Sequence, residues 1–205
     1  AAPASATAAL LGLTPAGEPR WRRTFTTSGA LSVMDVEVVG ELVVWGGAAG
    51  GEVHGDQLDL AASPRSRALL EAVDRARGEP RWLVAGSDGY SAVGALPAAG
   101  SDALVVAGLV EGTAALGGHA LTAQEHADGW LARLDLATGR VAWLRRVGGP
   151  GWSNLNDVIV RGDDVYAVGR SRGVSEDGIE LPARGEDALL VRARGDGTLV
   201  RAWLW

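Results

Sequence analysis

A chain of 205 residues with 47% hydrophobic and 21% charged residues is long enough to bury a core and too apolar for disorder. Its formal net charge of −6 argues against a phosphate backbone as partner, which calls for clustered positive charge, so no nucleic-acid partner is expected. The absence of cysteine and of lysine excludes disulfides, thiolate metal sites and lysine chemistry, and no apolar run approaches the ~18 residues of a membrane span.

Residues 1–8 are small and weakly polar and read as a disordered tail; a stretch of this kind follows a removed export signal, so an extracellular or cell-envelope location is expected. Residues 9–21 read as half a blade, an apolar strand through Leu13, a Thr-Pro-Ala-Gly turn and an extended run that continues past Trp21 to Phe25. The unit 22–82 then offers Val36 to Val39, a Gly40-Glu41 turn, Leu42 to Trp45, a long polar loop from Ala48 to Arg67, Ala68 to Val73, and Pro80 to Ala85. The unit 83–143 repeats this order with Ala103 to Gly108, a loop from Leu109 to Asp128, Trp130 to Leu134, and Val141 onward. The unit 144–205 repeats it with Asp157 to Val160, Val165 to Gly169, a loop from Arg170 to Asp187, Ala188 to Val191, and Leu199 to the end. In this reading the loops are the variable parts of the molecule.

One phrase recurs through these units. Asp74, Gly78 and Trp82 return at unchanged spacing as Asp135, Gly139 and Trp143, with looser copies ending at Trp21 and Trp203. The steps are 61 residues (21 to 82), 61 (82 to 143) and 60 (143 to 203), the last kept by an expected two-residue insertion in the turn before Trp203. A fixed period with four short strands in each copy predicts an all-β fold of β-propeller blades, about three and a half of them, in a ring that one chain leaves incomplete. A buried indole removes about 150 to 250 Å² from water, worth roughly 4 to 6 kcal/mol as an upper bound. Wedged between neighbouring blades, it stabilises an interface that neither blade has alone, with the glycine shaping the turn and the aspartate accepting from turn amides.

The phrase resembles the tryptophan-docking motif of quinoprotein-type propellers: Ala72 to Trp82 matches all four fixed positions, and Arg133 to Trp143 misses only the alanine. The wider unit, with its Gly-x-x-Leu segments at Gly55 to Leu58, Gly118 to Leu121 and Gly178 to Leu181, is similar to bacterial β-propeller-repeat proteins. The resemblance implies the fold and an envelope setting. A quinone-cofactor dehydrogenase of this kind is expected to offer calcium-ligating carboxylates, an aspartate base and a vicinal cysteine pair. This chain has no cysteine and too few blades, so neither catalytic residues nor a cofactor are expected.

The histidines, His54, His119 and His126, lack zinc-like spacing, and acidic pairs such as Asp163-Asp164 and Glu176-Asp177 suit turns, so no metal is expected. The loops that lead into each unit, Thr26 to Ser32, Ser87 to Ser91 and Gly148 to Asn156, are the candidate ligand face. There Tyr90, Trp152, Asn154 and Asn156 supply aromatic and amide groups suited to a glycan or peptide. Three and a half blades do not close, and an open arc exposes apolar blade faces. The expected function is thus a non-enzymatic binding or interaction module of a bacterial envelope or secreted protein, completing its ring with a second copy or a protein partner. The alternatives are a piece of a quinoprotein-like enzyme and an outer-membrane assembly-type scaffold.

Overall fold

The computed structural model describes residues 6–56, 58–87, 91–95 and 102–205, and every regular element among them is a β-strand. The strands form four antiparallel sheets of four. Blade 1 joins β1 (Ala6–Leu13), β2 (Pro19–Thr27), β5 (Val53–Gly55) and β6 (Leu58–Leu60). Blade 2 joins β3 (Leu31–Val39), β4 (Leu42–Ala49), β7 (Arg67–Asp74) and β8 (Pro80–Ala85). Blade 3 joins β9 (Ser91–Ala95), β10 (Ala103–Leu116), β11 (His119–Asp135) and β12 (Val141–Val147). Blade 4 joins β13 (Ser153–Arg161), β14 (Asp164–Glu176), β15 (Ile179–Arg194) and β16 (Leu199–Leu204).

Consecutive blades pack face to face, each pair closing on its own apolar core. Phe25, Trp45, Val53, Leu58 and Leu69 fill the first junction; Val44, Leu70, Trp82, Leu104, Trp130 and Leu134 the second; Ala107, Leu131, Leu155, Val165, Leu189 and Val191 the third. The central strands β4 and β7 are buried on both faces, which explains their near-continuous Val, Leu and Ala runs. The first strands of the full blades, β3, β9 and β13, contact one another along the inside of the arc.

Blade 1 is built differently from the others. Thr14 N–H closes its turn on the Glu18 carbonyl and Trp21 follows three residues on; Asp74 closing on Glu79 before Trp82, and Asp135 closing on Arg140 before Trp143, have the same spacing. By this register β1 and β2 take the places of the third and fourth strands of a blade, and no strand among the described residues takes the places of its first two. The sheet is brought to four strands from the other side, because β5 pairs with β2 in the register Phe25 to Gly55 and Thr27 to Val53. Strand β1 takes in Ala6 to Ala8, which composition assigns to a tail, because their backbone pairs with Thr27 to Phe25. Residues 1–5 lie outside the described residues.

The three long loops are the main departure from the sequence reading. Ala48 to Arg67 contains the β5–β6 hairpin, while Leu109 to Asp128 and Arg170 to Asp187 continue β10–β11 and β14–β15 as ribbons beyond the sheet. The Gly-x-x-Leu segments are the ribbon turns, with Gly118 at φ +85° and Gly178 at +78°. Leu58 and Leu121 point inward at 3% and 8% exposure. All three ribbons reach the blade before their own. Leu116 bridges Gly86, Ser87 N–H donates to the Ala115 carbonyl at 2.8 Å, and Ser175 N–H donates to the Gly148 carbonyl at 2.9 Å. His54, His119 and His126 accordingly sit in strands rather than loops.

Candidate interaction surface

Inside the arc, each junction repeats one contact. The indole N–H of Trp21 donates to the Arg75 carbonyl at 3.0 Å, that of Trp82 to Leu136 at 2.8 Å, and that of Trp143 to Gly195 at 3.0 Å. Each acceptor is the residue after the one that opens the next blade's turn, and each ring lies on that turn's glycine. A Cβ built on Gly78, Gly139 or Gly197 would come within 2.6, 2.7 and 2.9 Å of the Trp21, Trp82 and Trp143 rings, and all three glycines have φ between +71° and +86°. Only glycine satisfies both conditions. Trp82 is 8% exposed; Trp21 and Trp143 are half-buried.

Asp74 Oδ1 accepts from Ala76 and Arg77 N–H at 3.0 Å, and Asp135 Oδ1 accepts from Thr138 N–H at 2.9 Å. The Arg81 guanidinium, 2.6 Å away, holds the Asp74 carboxyl below the usual aspartate range, with the turn amides adding to it. The Thr138 hydroxyl and amide do the same for Asp135. Trp203 does not share the geometry. In blade 4, Arg194 closes on Thr198, so Arg201 holds the place of Trp143, opposite Arg192, and Trp203 lies two residues further along the strand, opposite Leu190. The turn Arg194 to Gly197 is one residue shorter than Asp135 to Gly139, so the additional residues lie in the strand and not in the turn. Arg201 lies over the Trp203 ring, 4.9 Å from its centroid.

Two polar clusters at the junctions are not announced by the repeat. Arg23 on β2 pairs with Glu71 on β7 at 2.7 Å with both side chains at most 5% exposed, and Trp45 donates to the other carboxylate oxygen at 2.7 Å. Burial pushes the Glu71 carboxyl above its usual range, against the opposing pull of Trp45 and Arg23. Between blades 3 and 4, Arg146 joins the fully buried Asp128 at 3.1 Å to Glu176 at 2.7 Å, and burial likewise raises Glu176.

Of the residues proposed for a ligand face, Tyr90 lies outside the described residues. Trp152 is half-buried and tied into the sheet by its backbone, through a bridge to Ala127 and a bond from Arg172 N–H to its carbonyl at 2.9 Å. Asn154 and Asn156 are brought together on β13, where Asn154 Nδ2 donates to Asn156 Oδ1 at 2.6 Å and Asn154 Oδ1 accepts from Arg170 N–H at 3.2 Å. The pair occupies part of its own hydrogen-bonding capacity. Among the described residues no three His, Asp or Glu side chains converge as metal ligands.

The arc's two end faces are where blade packing stops. Before blade 2, Leu11 and Leu13 of β1 and Val36 and Val38 of β3 line one groove and are 51%, 52%, 49% and 54% exposed. Beyond blade 4, Ile159, Tyr166, Val168 and Leu190 line another, with Val168 at 44%. Positions equivalent by register are covered inside the arc: Val158, three residues before its hairpin turn as Val36 is, is 3% exposed, and Ala132, the counterpart of Leu11, is 0% exposed.

No family model matches the sequence, and no curated protein does. Among solved structures, the chain is similar to a europium-containing methanol dehydrogenase at 13% identity and a TM-score of 0.45, over 89% of this chain and 38% of the other. It is similar to the quinohemoprotein alcohol dehydrogenase ADHIIG from Pseudomonas putida HK5 at 14% identity and a TM-score of 0.44, over 86% and 36%. BamB from Moraxella catarrhalis matches at 13% identity and a TM-score of 0.24, over 86% and 92%. The chain thus spans a little over a third of the length of the two dehydrogenases.

Proposed function

We propose that the chain is a non-enzymatic β-propeller interaction module of a bacterial envelope or secreted protein, whose end faces receive a protein surface that completes the ring. The observation that carries this reading is the contrast between Val36 at 49% exposure and its counterpart Val158 at 3%. Contiguous apolar surface of this kind on a protein in water marks an interface. The indole contacts at the three junctions are read as the tryptophan-docking motif of quinoprotein-type propellers, which here fixes the blades and leaves recognition to the ends. Trp152, Asn154 and Asn156 are a secondary candidate for a glycan or peptide.

The test places a photo-crosslinking amino acid at Leu11, at Val168 and, as a control, at Arg161, and identifies the products from the native envelope fraction by mass spectrometry. The reading expects one defined product from at least one end face and none from Arg161. Equal, non-specific labelling at all three positions overturns it.

A further inference from the structure

Blades 2 and 3 carry carboxylates at the same two places, and only blade 2 supplies the arginines that hold them. Arg75 N–H donates to the Glu41 carbonyl and Leu136 N–H to the Asp102 carbonyl, both at 2.9 Å, so Glu41 corresponds to Asp102, Arg75 to Leu136 and Asp74 to Asp135. The residue bulged out of the fourth strand just before the docking tryptophan is Arg81 in blade 2 and Ala142 in blade 3. In blade 2 the Arg81 guanidinium binds Asp74 Oδ2 at 2.6 Å, and that of Arg75 binds Glu41 at 3.2 Å. In blade 3 neither Leu136 nor Ala142 carries a charge. Asp135 Oδ1 is taken by Thr138, and among the described residues no donor meets Asp135 Oδ2 and no salt bridge reaches Asp102. An open pocket of about 340 Å³ stands there instead, lined by both carboxylates and by Arg133, Arg140 and Ala142. A volume of this size holds a small ligand. Two further exchanges give the pocket positive charge as well: Arg133 stands where blade 2 has Ala72, and Arg140 where it has Glu79. Arg133 uses Nη1 on the Gly195 carbonyl at 3.0 Å.

We propose that this pocket binds an amino acid with a guanidinium side chain, either free or as the C-terminal residue of a peptide. The ligand's guanidinium takes on Asp135 the place that Arg81 takes on Asp74, with Asp102 beside it. Its carboxylate pairs with Arg140 and Arg133. Guanidinium and carboxylate meet through parallel N–H···O bonds of fixed geometry, which an ammonium group cannot reproduce. Because the pocket offers both signs of charge, a ligand with only one leaves part of the lining unpaired, and that difference sets selectivity. The site belongs to blade 3, which has a blade on either side, so it stands apart from whatever covers the ends of the arc.

The probe is L-arginine, titrated into the full chain at low ionic strength against equal concentrations of sodium chloride, with the amide NMR signals of Thr138 and Arg140 as the readout. One saturable site is expected, with a dissociation constant on the order of 1 mM, because exposed ion pairs are individually weak. Agmatine, which lacks the carboxylate, and L-lysine, which lacks the fork, should each bind at least about fivefold more weakly. Asp135→Asn should weaken arginine at least about tenfold, while Arg140→Gln should weaken arginine and leave agmatine unchanged. Ala142→Arg, at an exposed position, restores the residue of blade 2 and should abolish binding by setting the chain's own guanidinium on Asp135. Each variant is checked for native circular dichroism. A Gly-Gly-Arg peptide separates the two sources: binding as tight as that of arginine assigns a peptide C-terminus, and binding of arginine alone assigns the free amino acid. No shift at about 50 mM arginine, about ten times the concentration that would half-saturate even a fivefold weaker site, would overturn the proposal. So would binding that survives Ala142→Arg, or equal affinity for arginine and agmatine.

Discussion

At Trp82 two contributions can be separated, because the ring buries area against blade 3 and its N–H meets the Leu136 carbonyl. Trp82→Ala should cost about 3 to 5 kcal/mol in urea unfolding, whereas Trp82→Phe, which keeps an aromatic ring, should lose about 1 kcal/mol for the hydrogen bond. Gly139→Ala, which leaves Trp82 itself unchanged in the sequence, should cost about 1 to 3 kcal/mol, since its φ of +71° and the Trp82 ring both oppose a Cβ. Arg23→Ala leaves Glu71 buried without its cation and should cost about 3 to 5 kcal/mol.

The same carboxyl sets a pH dependence. Burial raises Glu71 in the folded chain above its unfolded value, so its contribution is fully present below the ordinary glutamate range and falls as pH rises through the folded value. Asp74 and Asp135, lowered in the fold, act in the opposite sense, losing their contribution as pH falls. The stability difference between the wild type and Glu71→Gln isolates the first effect and should shrink as pH is raised from about 4 to 7. The indoles, glycines and aspartates are legible in the sequence because the backbone demands them at fixed spacing. Arg23 and Glu71 are not, because they occur at one junction only and lie 48 residues apart.

Among elements, the β5–β6 hairpin carries the clearest lesson. The sequence from Ala48 to Arg67 is polar and glycine-rich and reads as a loop, yet Val53 and Leu58 are buried at 0% and 3% exposure against blade 1. Strands of three residues leave no period to detect, and their partner, β2, is separated from them in sequence by the β3–β4 hairpin of blade 2. Replacing residues 53–60 with a glycine-serine linker should raise hydrogen exchange throughout β1 and β2 while leaving β13 to β16 unchanged, because Phe25 and Trp45 lose their cover in the first junction alone. Trp203 is the opposite case. Its spacing of 60 residues from Trp143 suggests equivalence, and the strand register denies it by two residues.

The whole molecule is an arc of blades held at three junctions and open at both ends. Four-stranded blades and the shortfall from a closed ring follow from the period and from counting strands. The exposure of Leu11 and Val36 is not written in the pattern of their own strands, because it is set by which strands lie beside them in space. The account depends on indoles seated on the glycine turn of the next blade, and the most direct measurement is hydrogen exchange at the indole N–H groups, resolved by NMR. The N–H of Trp21, Trp82 and Trp143, each bonded to a carbonyl across a junction, should exchange at least about tenfold more slowly than that of Trp205, which is 68% exposed. If all three exchange at the rate of Trp205, the blades are not held together in this way.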